Sequence, residues 1–120
     1  MDPVILVGIG GAVGSVLRFI LSRIQPLRGI PAGTLLVNIT GSFALSLLVF
    51  GRVGGDLYNL VGTGGLGGFT TFSTFSYETF RMLEDHDYRT FATYTAISIG
   101  GGLLAVAAGY LLCSGGAMPW

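Results

Sequence analysis

The sequence predicts an all-α integral membrane protein with four transmembrane helices, the third of which is broken at a glycine-rich stretch. Of its 120 residues, 51% are hydrophobic, and only 6 basic residues, all arginine, and 6 acidic residues are charged. That charge content is far below the usual content of a soluble domain. The charges lie mostly between four apolar segments, each long enough to cross a bilayer core of roughly 30 Å. One transmembrane domain over residues 1–120 is therefore expected.

Short polar loops join the four predicted spans. No basic stretch and no convincing cleavage site accompany the first span, so it is predicted to be retained rather than to act as a signal peptide. The predicted spans cover residues 4–21, 32–50, 57–83 and 90–113.

The first span carries a glycine pattern with two interpretations. Gly8, Gly10 and Gly14 follow an apolar run as in a dinucleotide-binding turn, but no acidic residue follows at the usual distance. Four-residue spacing instead puts Gly10, Gly14 and Arg18 on one helix face, where glycines let another helix approach closely. Packing is therefore favoured. For Arg18 two interpretations stay open: its side chain snorkels to the membrane surface, or it is a fixed positive charge in an anion vestibule.

The second span places Thr34, Asn38 and Ser42 on one face, again at four-residue spacing. A buried amide has two N–H donors and is costly to bury unless something accepts hydrogen bonds from it. Either a neighbouring helix or a passing anion can accept from Asn38. From this span alone, the neighbouring helix is the favoured partner.

The third span is interrupted by glycines at five positions between residues 62 and 68. Glycine weakens a helix and exposes its backbone, and lipid does not tolerate unpaired carbonyl groups. A break at this depth must therefore face protein, water or an ion, which makes it a candidate permeation or binding site. Its carbonyl oxygens suit an alkali cation, which prefers oxygen ligands.

Aromatic residues follow the break at three-residue spacing, as Phe69, Phe72 and Phe75. Packing in a core is the ordinary explanation of such a stripe. In the functional alternative, the positive ring edges face an anion without offering it a full opposite charge. The hydroxyl groups interleaved with the rings can donate hydrogen bonds to that anion; they belong to Thr70, Thr71, Ser73 and Thr74.

The fourth span offers Tyr94 and Ser98, with Gly102 at the next four-residue step. Close packing explains most of this face, although the two hydroxyl groups can also extend a polar track. Glu78, near the end of the third span, is predicted to be solvated or paired with an arginine rather than to carry protons.

Several classes of function are excluded or weakened by what the chain lacks. No carboxylate lies deep in a predicted span, which weakens proton-coupled transport. The absence of lysine excludes a P-loop, a net charge near zero argues against a nucleic-acid partner, and no catalytic triad can be assembled. Cys113 is the single cysteine, which excludes an internal disulfide. A lining of neutral donors suits a small anion, and four short helices give so little interior that an oligomer is expected.

Three stretches together resemble the Fluc (CrcB) family of fluoride channels. They are GGAVGSVLRF at residues 10–19, GTLLVNITGSF at residues 33–43 and GGFTTFSTFSYE at residues 67–78. The length and the four-span plan match as well, so the resemblance covers essentially the whole chain.

The resemblance implies a fluoride-selective passive channel, not an enzyme, that exports fluoride across the plasma membrane. It implies a multi-pass protein in contact with lipid, assembled as a dual-topology antiparallel homodimer with two fluoride pathways along the interface. By position, Phe72 and Phe75 are the implied pore aromatics, and Asn38 and Thr34 are the implied polar lining. Arg18 matches the family's arginine. The implied residues of the polar track are Ser73, Thr74, Tyr94 and Ser98. The backbone carbonyls of Gly67 and Thr70 from both subunits are implied to hold a structural sodium ion.

Two alternatives remain open. A small dimeric multidrug or guanidinium exporter has the same size and span number, but that function needs an acidic residue in the first span, and residues 4–21 contain none. An obligate heterodimer with a paralogue is suggested by the arginines: the loops at one side carry four of them, whereas the other side has only Arg52. By the positive-inside rule this bias favours one orientation.

Overall fold

The computed structural model describes residues 2–114, and this part of the chain is helical, with no β-strand and one isolated bridge between Leu27 and Ile30. The elements are α1 (Pro3–Leu21), α2 (Ala32–Phe50), α3 (Gly55–Leu57), a π-helix (Tyr58–Leu66), α4 (Gly67–Phe69), α5 (Phe72–Glu84) and α6 (Tyr88–Ser114).

Three helices are long and apolar enough to cross a membrane: α1, α2 and α6. Many of their large side chains face outward; Val4 and Leu104, for example, are 77% and 73% exposed. An apolar surface of this kind is stable in lipid rather than in water. The structure therefore agrees with a membrane protein, and the third predicted span is the one that departs from a simple helix.

Helix α1 begins and ends at local hydrogen bonds that its sequence supplies. The Asp2 carboxylate accepts from the backbone N–H of Val4 at 2.9 Å, and Pro3 occupies the first turn, where its missing N–H costs nothing. At the other end, the Ser22 hydroxyl donates to the carbonyl oxygen of Phe19 at 2.6 Å. These contacts fix the length of the helix that packs on the third segment.

The glycines of α1 pack directly on the backbone of the π-helix. A β-carbon on Gly10 would clash with the carbonyl oxygen of Leu60, and one on Gly14 would clash with the carbonyl oxygen of Gly65. Only glycine permits an approach this close, and it allows weak Cα–H···O contacts between helices. The packing interpretation of the Gly10–Gly14 pair is therefore confirmed.

Helices α2 and α6 run parallel and are also joined through small residues. A β-carbon on Gly101 would lie 2.6 Å from Cδ1 of Ile39, and one on Gly109 would clash with the Ser46 hydroxyl. The residue numbers on the two helices rise together along the contact, which establishes the parallel direction. This pair forms a fixed wall against which the third segment is held.

The third segment is a π-helix followed by a break rather than one interrupted α-helix. The glycines at 62, 64 and 65 lie within the π-helix and remain helical, while the chain becomes extended at Thr70 (ψ 157°) and Thr71 (φ −147°, ψ 118°). The expectation that the glycines themselves break the helix is thus wrong in detail. They serve the close approach to α1, and the interruption follows them.

Helix α5 restarts the segment with a side-chain cap. The Thr71 hydroxyl accepts from the backbone N–H of Thr74 at 3.1 Å, the usual device at a helix N-terminus. The helix carries Glu78, Arg81 and Glu84, and its last turn includes an exposed Arg81–Glu84 ion pair at 3.9 Å. The charged end of α5 thus lies in an exposed region, and its first turn lies at the break.

Candidate functional site

Asn38 holds the broken segment to α2 through two hydrogen bonds. Its side-chain Nδ2 donates to the carbonyl oxygen of Thr71 at 2.9 Å, and its Oδ1 accepts from the backbone N–H of Thr71 at 2.8 Å. The amide therefore supplies the acceptor that the N–H of Thr71 lacks in its extended conformation, and it adds a donor to the carbonyl that begins α5. The partner of the Asn38 amide is therefore a neighbouring segment of the protein, as predicted from the sequence. The second N–H of Nδ2 takes no part in these two hydrogen bonds.

The Asn38 clamp and the Thr71 cap each divert one backbone donor away from the carbonyls at the break. In a continuous α-helix, the N–H of Thr71 would donate to the Gly67 carbonyl and the N–H of Thr74 to the Thr70 carbonyl. Here they donate to Asn38 and to the Thr71 hydroxyl instead. The carbonyl oxygens of Gly67 and Thr70 are thereby released from the helical pattern.

A cavity of about 510 Å³, termed the central cavity, lies between the break, α2 and α6. It is open on one side of the subunit and combines aromatic rings, hydroxyl groups and the Asn38 amide. Six predicted site residues line it, namely Asn38, Gly67, Thr70, Phe72, Phe75 and Ser98. Ser42, Tyr58, Thr63 and Thr71 line it as well.

The two predicted pore aromatics sit at the edge of the central cavity. Phe72 is 78% exposed in the single subunit, so packing in the subunit's own core does not explain it. Its ring centroid lies 6.0 Å from that of Phe75, which in turn lies 5.3 Å from that of Tyr94 at an interplanar angle of 45°. Tilted rings of this kind leave edges available to a ligand.

A second, smaller cavity of about 280 Å³, termed the side cavity, lies between α1, α2 and the start of α5. It brings together the predicted residues Arg18, Thr34, Ser73 and Thr74. Thr71 lines both cavities, so the two lie on either side of this residue. Arg18 therefore lies among hydroxyl groups, as the vestibule hypothesis expects, and is half-buried at that position.

Tyr94 lines neither cavity and is the most deeply buried predicted site residue. Its side chain is 0% exposed, and its hydroxyl donates to Oε1 of Glu78 at 3.0 Å. The expectation that Glu78 is solvated or paired with an arginine is therefore corrected, because its carboxylate accepts from a buried tyrosine.

Sequence reasoning assigned no site role to three polar residues that line the cavities. Ser22 lines the side cavity, and Tyr58 and Thr63 line the central cavity; tertiary packing alone brings them there. For Thr71, predicted as a hydroxyl donor, the capping of α5 was missed, although a threonine at the restart of a helix after a glycine run is typical of an N-cap.

The clamp has a measurable consequence. Replacing Asn38 with alanine leaves the backbone N–H of Thr71 unpaired and removes a second donor from its carbonyl, which is expected to destabilise the fold by about 1–3 kcal/mol. Asn38→Asp keeps an acceptor for the N–H and is expected to lose less. Thermal unfolding in detergent, followed by circular dichroism, measures both changes; an unfolding temperature of Asn38→Ala equal to that of the unsubstituted protein would contradict the clamp.

Comparison with known proteins identifies the family. Residues 5–110 match the model of the family described as CrcB-like protein, Camphor Resistance (CrcB). The chain is 46% identical to fluoride-specific ion channel FluC 3 of Methanosarcina acetivorans, with 88% of this chain and 96% of that protein covered. It is 38% identical to FluC of Methanococcus aeolicus (93% and 95% covered) and 42% identical to FluC of Methanococcus maripaludis (92% and 95% covered). The chain therefore belongs to the CrcB family, a family of ion channels and not of enzymes.

Proposed function

We propose that this protein is a fluoride-selective passive channel that exports fluoride across the plasma membrane and lowers its toxicity. The observation that carries the proposal is the chemistry of the two cavities. Among the described residues that line them, Arg18 is the only one with a charged side chain, and the polar remainder is hydroxyl groups and one amide. The names of the related proteins, which are fluoride-specific ion channels, support the same conclusion.

A lining of neutral donors matches what a small anion requires. Fluoride must exchange its hydration shell for hydrogen bonds that are strong enough to admit it and weak enough to release it. Several hydroxyl groups in succession, the spare N–H of Asn38 and the edges of Phe72 and Phe75 offer such partners. No carboxylate lines either cavity among the described residues, which favours passive flow over coupled exchange.

The proposed path begins at Arg18 in the side cavity, where a positive charge raises the local concentration of anions. Thr34, Ser73 and Thr74 follow, and Thr71 and Asn38 lead into the central cavity. Phe72 and Phe75 then offer ring edges, Ser98 extends the path along α6, and Tyr94 positions the rings beside it.

We also propose that two subunits with opposite orientations form the channel, with one pathway on each side of the interface. The central cavity is open, and its lining includes Phe75 and the largely exposed Phe72. Covering the opening with a second copy would enclose both rings and separate the path from lipid. Four spans per subunit, with the broken segment as the third, complete this arrangement.

The released carbonyls fit a structural sodium ion between the two subunits. Hard cations prefer oxygen ligands. Gly67 and Thr70 both line the central cavity, and the donors that their carbonyl oxygens would have in a continuous helix are engaged elsewhere. Two such carbonyls from each subunit would hold the ion. The positive charge of the ion would offset the partial negative charge at the exposed helix ends. The ion is proposed as a structural element and not as a transported species.

Removing the clamp is expected to weaken sodium binding. In Asn38→Leu, the N–H of Thr71 loses its acceptor and can return to the Gly67 carbonyl, which then competes with sodium. A reduction of at least about tenfold in affinity is expected, the factor that one lost ligand interaction of about 1.4 kcal/mol gives. Calorimetric titration of sodium-free protein measures this, with Thr40→Val as the control; sodium binding equal to that of the control would contradict the assignment.

The decisive test of function is anion efflux from liposomes that contain only this purified chain. Fast fluoride release with negligible chloride release is expected. No fluoride release from protein shown to be folded and monodisperse would overturn a homodimeric channel. If release then appears on adding a paralogue with the opposite arginine bias, the heterodimer alternative is correct; release of guanidinium instead of fluoride would identify the small exporter.

A further inference from the structure

Two hydroxyl groups on α6 are buried without a hydrogen-bond partner. They are the side-chain oxygens of Thr95 and Ser98, both fully covered by surrounding atoms of the subunit. Burying a donor without an acceptor is costly, and most such groups in proteins are paired. Ser98 already belongs to the proposed path, whereas Thr95 has been given no role.

Other threonine hydroxyl groups in this chain donate a hydrogen bond to a backbone carbonyl of their own helix. Thr40 donates to the Leu36 carbonyl at 2.6 Å, Thr70 to that of Leu66 at 3.0 Å and Thr79 to that of Phe75 at 3.0 Å. In the middle of α6, Thr95 has an equivalent carbonyl four residues earlier, as any helical threonine does. Its hydroxyl does not use that carbonyl, so the donor stays available to a different acceptor.

Helical spacing places Thr95 close to the proposed path. Residues three apart on a helix are neighbours on its surface, so Thr95 lies one turn from Ser98, which lines the central cavity with Asn38 and Ser42. In the opposite direction, Thr95 is adjacent to Tyr94, whose hydroxyl is committed to Glu78. The Glu78 carboxylate already accepts from Tyr94, and the Thr95 hydroxyl has no acceptor of its own within the subunit.

We infer that Thr95 is a second hydroxyl donor on α6 for the permeating anion, acting together with Ser98. The inference rests on the proposed fluoride channel and adds a residue to it. A small anion that reaches Ser98 is the acceptor that both hydroxyl groups lack, and rotation of the threonine side chain about its Cα–Cβ bond brings the oxygen to it.

The test compares fluoride efflux from liposomes for Thr95→Val, which keeps the side-chain shape, and Thr95→Ser, which keeps the hydroxyl. Thr93→Val is the matched control, because Thr93 lies on the same helix and is exposed. Thr95→Val is expected to slow efflux at least about fivefold, the effect of one lost hydrogen bond, while Thr95→Ser and Thr93→Val conduct like the unsubstituted channel.

Stability separates an anion donor from a structural residue. Because the hydroxyl has no partner within the subunit, Thr95→Val is expected to leave the unfolding temperature unchanged or to raise it while efflux falls. Thr95→Ala is measured in parallel, so that a folding defect in one variant does not decide the result. Efflux equal to that of Thr93→Val in a folded Thr95 variant overturns this inference alone; no efflux from the unsubstituted protein overturns the channel and this inference together.

Discussion

Replacing Phe75 with isoleucine is expected to reduce fluoride efflux at least about tenfold, toward the leak of empty liposomes. Isoleucine keeps an apolar side chain but has no ring edge, so the anion loses an electrostatic contact worth about 1.4 kcal/mol, which corresponds to a tenfold change in rate. The same result is expected for Phe72→Ile, since Phe72 stands beside Phe75 at the opening of the central cavity. Efflux from liposomes with equal protein content measures both.

Phe80→Ile is the matched control for these two variants. Phe80 lies on α5 as well and is 59% exposed, but it lines neither cavity. It is expected to conduct normally, and all three variants are expected to elute from gel filtration at the same volume as the unsubstituted protein. Normal efflux from both Phe72→Ile and Phe75→Ile would show that the rings do not contact the permeating ion.

Replacing Gly14 with alanine is expected to destabilise the fold by about 3 kcal/mol or more, the upper range for overpacking a tight contact. The new methyl group would clash with the Gly65 carbonyl oxygen and approach the backbone nitrogen of Phe69 to 2.9 Å. Both neighbours are backbone atoms and cannot rotate away. The segment that carries the break would then shift as a whole. Loss of monodisperse protein and a lowered unfolding temperature in detergent are the expected observations.

Gly8→Ala provides the control on the same helix. A β-carbon at Gly8 meets nothing within 4 Å, and alanine has the better helix propensity, so a gain of about 0.5–1 kcal/mol is expected. If Gly14→Ala and Gly8→Ala unfold at the same temperature, the close packing of α1 on the π-helix does not contribute to stability.

Local sequence patterns were enough to predict the helical class and the glycine packing. Hydropathy located the apolar segments that became α1, α2 and α6, and four-residue spacing identified the face of Gly10 and Gly14 that meets another backbone. These features depend on composition and periodicity within one segment. For the same reason, the existence of an interruption near residues 62–75 was predictable, although its position was not.

The remaining features depend on residues distant in sequence. The Asn38–Thr71 clamp joins positions 33 apart and the Tyr94–Glu78 bond joins positions 16 apart, so spacing within a helix does not indicate either pair. The π-helix was also missed, because its i→i+5 hydrogen bonds depend on how the glycines pack against α1. The unpaired oxygen of Thr95 was unpredictable for a related reason, as threonine in a helix normally bonds to its own backbone.

The length of the nine-residue π-helix also determines how the break and α5 are rotated about the axis of the third segment. A π-helix is wound more widely than an α-helix, so deleting one residue between Tyr58 and Leu66 would rotate the break and α5 by roughly a quarter of a turn about the segment axis. Phe72 and Phe75 would then leave the cavity although their own sequence was intact. Insertions and deletions in this segment are consequently forbidden by geometry, whereas the loop at residues 51–54 can change length without altering the register.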